Sequence, residues 1–68
     1  MKKTLGQRVH ELRMKKGLSV QELARMAEVS ASYIYAIEAG ARGSHIDKLT
    51  RIARILDTNL TDLWPGQS

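Results

Sequence analysis

At 68 residues, the chain has room for one small core and no second one, so residues 1–68 are read as a single domain ordered over about 4–64. The lack of cysteine excludes disulfides and thiolate metal centres, and no apolar run nears the ~20 residues of a membrane span. The net charge is +4 and unevenly placed: residues 1–16 hold six bases against Glu11 alone, while residues 57–68 hold Asp57, Asp62 and no base, a pattern that suits a polyanionic partner.

The first predicted helix covers 5–16. Thr4 stands before it with Gln7 three places on, the capping-box spacing, and Leu5, Val9 and Leu12 form its apolar stripe. Gly17 follows, where a left-handed C-cap favours glycine. Ser19 and Glu22 open a second helix, 20–27, with Leu23, Ala24 and Ala27 facing inward. Ser30 caps a third, 31–39, whose inward residues are Ile34 and Ile37 and whose end is Gly40. Ser44 and Asp47 match the capping box more loosely before a fourth helix, 45–56, with a stripe of Ile46, Leu49, Ile52, Ala53 and Leu56. Asn59 and Asp62 do the same for a short fifth helix, 60–64, carrying Leu60 and Leu63. No segment alternates like a strand, so the expected class is all-α. Met14 and Met26 read as core or rim filler.

Helices 20–27 and 31–39 are short and about three residues apart, the spacing of a helix-turn-helix. The first needs a small residue where the second crosses it, and Ala24 fits. The turn needs an apolar anchor, and Val29 fits.

These features together resemble one family. The segments "GQRVHELRMKKGLS", "QELARMAEVSASYIYAIEAG" and "IDKLTRIARILDTNLTDL" are similar to the phage-repressor/Cro-like (XRE-type) helix-turn-helix domain, ungapped from about Leu5 to Leu63. The resemblance implies a compact five-helix, lambda-repressor-like fold. It implies a transcriptional regulator that binds double-stranded operator DNA, commonly as a homodimer, with helix 31–39 in the major groove. It also implies an ion pair between Arg13 and Glu38. Two positions depart from the family pattern. Val20 stands where a phosphate-binding Gln is usual, with Gln21 about 100° away. Glu28 stands where the turn often has Gly, so a left-handed backbone there would carry a cost.

A helical wheel divides helix 31–39. Ile34 and Ile37 define the inner side, which leaves Ser32, Tyr35 and Ala36 on the outer face beside Ala39, with Ala31 at its edge. Ala31, Ser32, Tyr35 and Ala36 are therefore the base-facing candidates. None offers the bidentate contacts that Arg makes to guanine or Gln to adenine. Methyl groups, hydroxyls and groove shape remain as the means of reading. Tyr33, on the flank, is either a phosphate clamp or a ring packed over a neighbouring helix.

The other phosphate candidates are Gln21, Ser30, Arg42, Ser44 and Lys48, with Arg8 or Lys15 on the first helix. Arg42 leads them, because the loop just after Gly40 approaches DNA in the family. Ile55, Leu60 and Trp64 are candidates for a two-fold interface, and Trp64 serves equally as a lid on the core.

A rival reading has the tyrosine face docking a protein partner, as an antitoxin-type module would. An enzyme is not expected, because no nucleophile–base–acid set, phosphate loop or metal signature is present. His10 and His45 lack neighbouring ligands, so no metal, cofactor or small-molecule ligand is expected. Lys2 and Lys3 precede no apolar stretch, so no secretory signal is read, and a cytoplasmic protein working at the nucleoid is expected.

Overall fold

Local hydrogen bonds set most helix boundaries. The computed structural model describes residues 4–40 and 45–64; the expected tails and the 41–44 loop lie outside them. The helices are α1 (Leu5–Lys15), α2 (Val20–Ala27), α3 (Ala31–Glu38), α4 (Ile46–Ile55) and α5 (Leu60–Leu63), and the described residues contain no strand. Thr4 Oγ1 accepts from the Gln7 amide at 3.2 Å while Gln7 Oε1 accepts from the Thr4 amide at 2.9 Å. Ser19 and Glu22 repeat this reciprocal pair at 3.0 and 2.8 Å. Each box satisfies amides that the first helical turn leaves without a partner. Ser30 caps α3 and Asn59 caps α5 by a single side-chain bond each.

The expected Ser44 cap is corrected. His45 holds the N-cap of α4, makes no side-chain cap bond, and displaces the helix start by one residue; Ser44 itself lies outside the described residues.

Three helices end in the same way. Gly17 takes φ +72°, and the Leu18 amide reaches back to the Arg13 carbonyl at 3.1 Å. Glu28 does this for α2 at φ 59°, with the Val29 amide on the Ala24 carbonyl at 2.9 Å. Asp57 does it for α4 at φ 60°, with the Thr58 amide on the Ala53 carbonyl at 2.9 Å. Two of these three left-handed positions therefore lack the glycine that would hold them without strain.

The core lies where α2 packs on α3 and α4, α1 on α3 and α5, and α4 on α5. Val9, Leu23, Ile34, Leu49, Ile52 and Leu63 are fully buried in it, with Val20, Ala24, Ala27, Ile37, Ala53 and Leu56 nearly so. Val29 is half-buried against this cluster. The apolar departure at Val20 thus belongs to the core, while Gln21 is exposed.

One expectation fails on packing. Ile46 is 46% exposed, because it sits on the first turn of α4, where the described residues leave it uncovered. Met14 and Met26 are 59% and 52% exposed, so of the core and rim places expected for them the core is ruled out.

Gly6, on the first turn of α1, is buried against the end of α3. A Cβ there would come within 2.2 Å of the Ile37 carbonyl oxygen and 3.0 Å of that of Glu38. Glycine lets α1 approach the α3 backbone directly, which positions the helix that carries the candidate site.

Candidate nucleic-acid interface

α3 is held at both ends, and each anchor is a chemical contact made by α3 itself. At its start, Ser30 Oγ accepts from the Tyr33 amide at 3.1 Å. The half-buried Tyr33 ring lies under Lys48 Nζ, 4.9 Å from the ring centroid, a cation–π distance. The His45 ring is tilted 55° to it at 6.3 Å. The Tyr33 hydroxyl also bonds to the His45 backbone; burial raises its pKa above 10.0 and that bond only partly opposes the rise. Tyr33, His45 and Lys48 thus join the start of α3 to the start of α4, beside a shallow depression of about 340 Å³ lined by His45, Ile46, Asp47, Lys48 and Arg51.

At the other end, Arg13 Nε donates to Glu38 Oε2 at 2.7 Å and Nη2 to Oε1 at 3.1 Å. This is a bidentate, charge-assisted fork. Arg13 Nη1 also donates to the Leu18 carbonyl at 2.8 Å. His10 Nδ1 stands 2.9 Å from Glu38 Oε1 and 3.1 Å from Arg13 Nη2. Because the carboxylate only accepts, the first of these is a hydrogen bond when Nδ1 carries a proton, and the second only when it does not. Burial pushes the Glu38 carboxyl upward, yet the bonds from Arg13 and His10 outweigh it and hold its pKa below 4.5. The bond to Glu38 raises the Arg13 pKa further, against its own desolvation. Both groups are charged at neutral pH although Arg13 is only 8% exposed.

Between the anchors lies the outer face of α3. Ser32, Tyr35 and Ala39 are exposed, and Ala31 and Ala36 are half-buried at its margins. Tyr35 is 57% exposed. Glu38 is the one charged residue of α3, and it is engaged with α1.

The other candidates are dispersed. Gln21 and Lys15 are exposed on α2 and α1, and Arg42 and Ser44 lie outside the described residues. Arg8 is half-buried, its Nε shielded from water without a hydrogen-bond partner. Ile55, Leu60 and Trp64 are half-buried, packed on the core from α4 and α5.

Arg51, unnoticed in the sequence, donates from Nε to the Ala27 carbonyl at 2.8 Å and from Nη2 to the Glu28 carbonyl at 3.4 Å. It secures the end of α2 just ahead of the turn. No local signal could reveal this, because the partners are 24 and 23 positions apart. His10 had a readable cue: it precedes Arg13 by three residues, on the same helical face.

Two short helices packed on each other, a tight left-handed turn between them, and a second helix with an open outer face define the helix-turn-helix class. The chain belongs to that family: the helix-turn-helix family model matches residues 9–63. A curated relative, an uncharacterized HTH-type transcriptional regulator of Rickettsia prowazekii (strain Madrid E), is 32% identical over 62 residues, covering 91% of this chain and 48% of the relative. The chain therefore spans about half the length of the curated relatives it matches. Among solved structures, the biofilm master regulator SinR in complex with DNA matches with TM-score 0.83 and 34% identity, over 88% of this chain and 97% of that one. The restriction-modification controller C.AhdI from Aeromonas hydrophila matches with TM-score 0.81 and 35% identity, over 88% and 91%.

Proposed function

We propose that this chain is a sequence-specific, double-stranded-DNA-binding transcriptional regulator of the repressor type, with α3 entering the major groove. The observation that carries the reading is the presentation of α3: contacts tie both ends to the scaffold while the Ser32–Tyr35 face stays open. The resemblance to SinR, solved with DNA, supports it. In this reading Ala31, Ser32, Tyr35 and Ala36 face the bases. Gln21, Ser30, Tyr33, Arg42, Ser44 and Lys48 meet phosphates. For Ser30 the contact is shared with its capping bond, and for Tyr33 it works mainly by placing Lys48.

A homodimer is part of the proposal, with Ile55, Leu60 and Trp64 in the two-fold patch and recognition helices about 34 Å apart, one turn of DNA. No helix among the described residues is long and apolar enough to cross a membrane, and a regulator of this kind works in the cytoplasm at the nucleoid. Catalysis has no place in the reading.

Selection of bound duplexes from a random pool, followed by a salt titration, tests it. Each phosphate neutralised contributes a slope of about −0.9 in log K against log salt, so Arg42 and Lys48 in each half of a dimer give about −3.6. A flat salt response and no enriched sequence would favour the second reading, a protein-docking module. The exposed Tyr35, Ile46 and Met26 are what support that alternative.

A further inference from the structure

Granting the major-groove reading of α3, the chemistry of its outer face limits what it can tell apart. Thymine presents a C5 methyl group and an O4 acceptor in the groove; cytosine presents an N4 amino donor and no methyl. A cytosine methylated at C5 presents the thymine methyl beside the cytosine amino group. Separating thymine from 5-methylcytosine therefore requires a side chain that only donates or only accepts at the 4-position.

α3 has no such group on its open face. Ala31, Ala36 and Ala39 offer only methyl groups. Ser32 and Tyr35 offer hydroxyls, which rotate to donate or to accept as the neighbour demands. Glu38, the acceptor-only group of the helix, is committed to Arg13 and His10. The purine partner is read no better, since α3 contains no Arg, Lys, Asn or Gln to pair with a purine edge.

We propose that this surface reads the C5 methyl group itself, and so accepts 5-methylcytosine in place of thymine. Cytosine methylation would then create binding sites in sequences that the protein otherwise passes over, making its DNA binding responsive to the modification state of the duplex. The inference rests on the DNA-binding reading above, and deepens it by naming the ligand group.

The test uses the unmodified protein and altered DNA. A preferred duplex is first obtained from a random pool; failure to enrich any duplex would count against the DNA-binding reading itself. Within the winning site, thymines are replaced one at a time by uracil, which removes only the methyl group. Removing one contacted methyl is expected to weaken binding about fourfold, the equivalent of about 0.8 kcal/mol. At each sensitive position the T·A pair is then replaced by cytosine or 5-methylcytosine opposite inosine, which keeps the minor groove free of the guanine amino group. The 5-methylcytosine duplex is expected to bind within about twofold of the thymine duplex, and the cytosine duplex about as weakly as the uracil one. The proposal is overturned if no thymine is sensitive to uracil, or if 5-methylcytosine binds no better than cytosine.

Discussion

Arg13 and Glu38, 25 positions apart, form a two-pronged ion pair that joins the end of α1 to the end of α3. Their side chains are only 9% and 12% exposed, so the pair is held in a poorly solvated place. Removing one partner strands the other charge. Glu38→Ala is expected to destabilise the fold by about 3 kcal/mol, most of it from the unpaired guanidinium. At about 4–8 °C per kcal/mol for a domain this small, thermal melting reads the loss easily. An unchanged melting temperature would mean that the pair contributes nothing.

The same carboxylate makes stability depend on pH. The folded-state pKa of Glu38 lies below 4.5, its ordinary value. The stabilisation is therefore fully present above that ordinary value and is lost as pH falls through the lowered folded-state value. Urea midpoints measured from pH 6 downward should decline in that acid window. Glu38→Gln should show a shallower decline over the same range.

Gly6→Ala should destabilise, although alanine favours helices by about 1 kcal/mol over glycine. The added methyl would overlap the Ile37 carbonyl oxygen at 2.2 Å, and backbone cannot turn aside as a side chain can. α1 must move away from α3, at a net cost of about 2 kcal/mol. Chemical denaturation measures this, and an equal or higher midpoint would rule out the close approach.

Glu28→Gly should do the opposite. Glu28 holds a left-handed backbone without glycine's freedom, so the substitution is expected to stabilise by about 0.5–1 kcal/mol. Asp57→Gly should gain less. Asp tolerates this region better, and its carboxylate pairs with Lys16 Nζ at 2.6 Å. Melting curves of the two variants, side by side, distinguish them.

Lys48→Ala tests the interface rather than the fold. Lys48 rests over the Tyr33 ring, and it is proposed to meet a phosphate. Its loss should weaken binding similarly across DNA sequences and reduce the salt slope by about 0.9 per protomer. A variant that changes which sequence is preferred would make Lys48 a base reader instead.

The helices were legible in the sequence because their signals are local. Thr4 with Gln7, Ser19 with Glu22, and Ser30 with the Tyr33 amide all act across three residues, so spacing alone exposes them. The stripes were legible because one turn repeats every 3.6 residues. The placement of Ser32 and Tyr35 opposite Ile34 and Ile37 followed from the same geometry, and Arg13 with Glu38 came from the family pattern. What remained hidden depends on which helix comes close to which. Gly6 matters only because the α3 carbonyls stand against it, and Arg51 because the end of α2 lies within its reach. His45 and Lys48 gather on Tyr33 only once α4 is docked, and Ile46, Met14 and Met26 stay in water because no neighbour among the described residues covers them. A chain of 68 residues states its own caps and periods; the contacts between its helices exist only after packing brings distant side chains within a few ångströms.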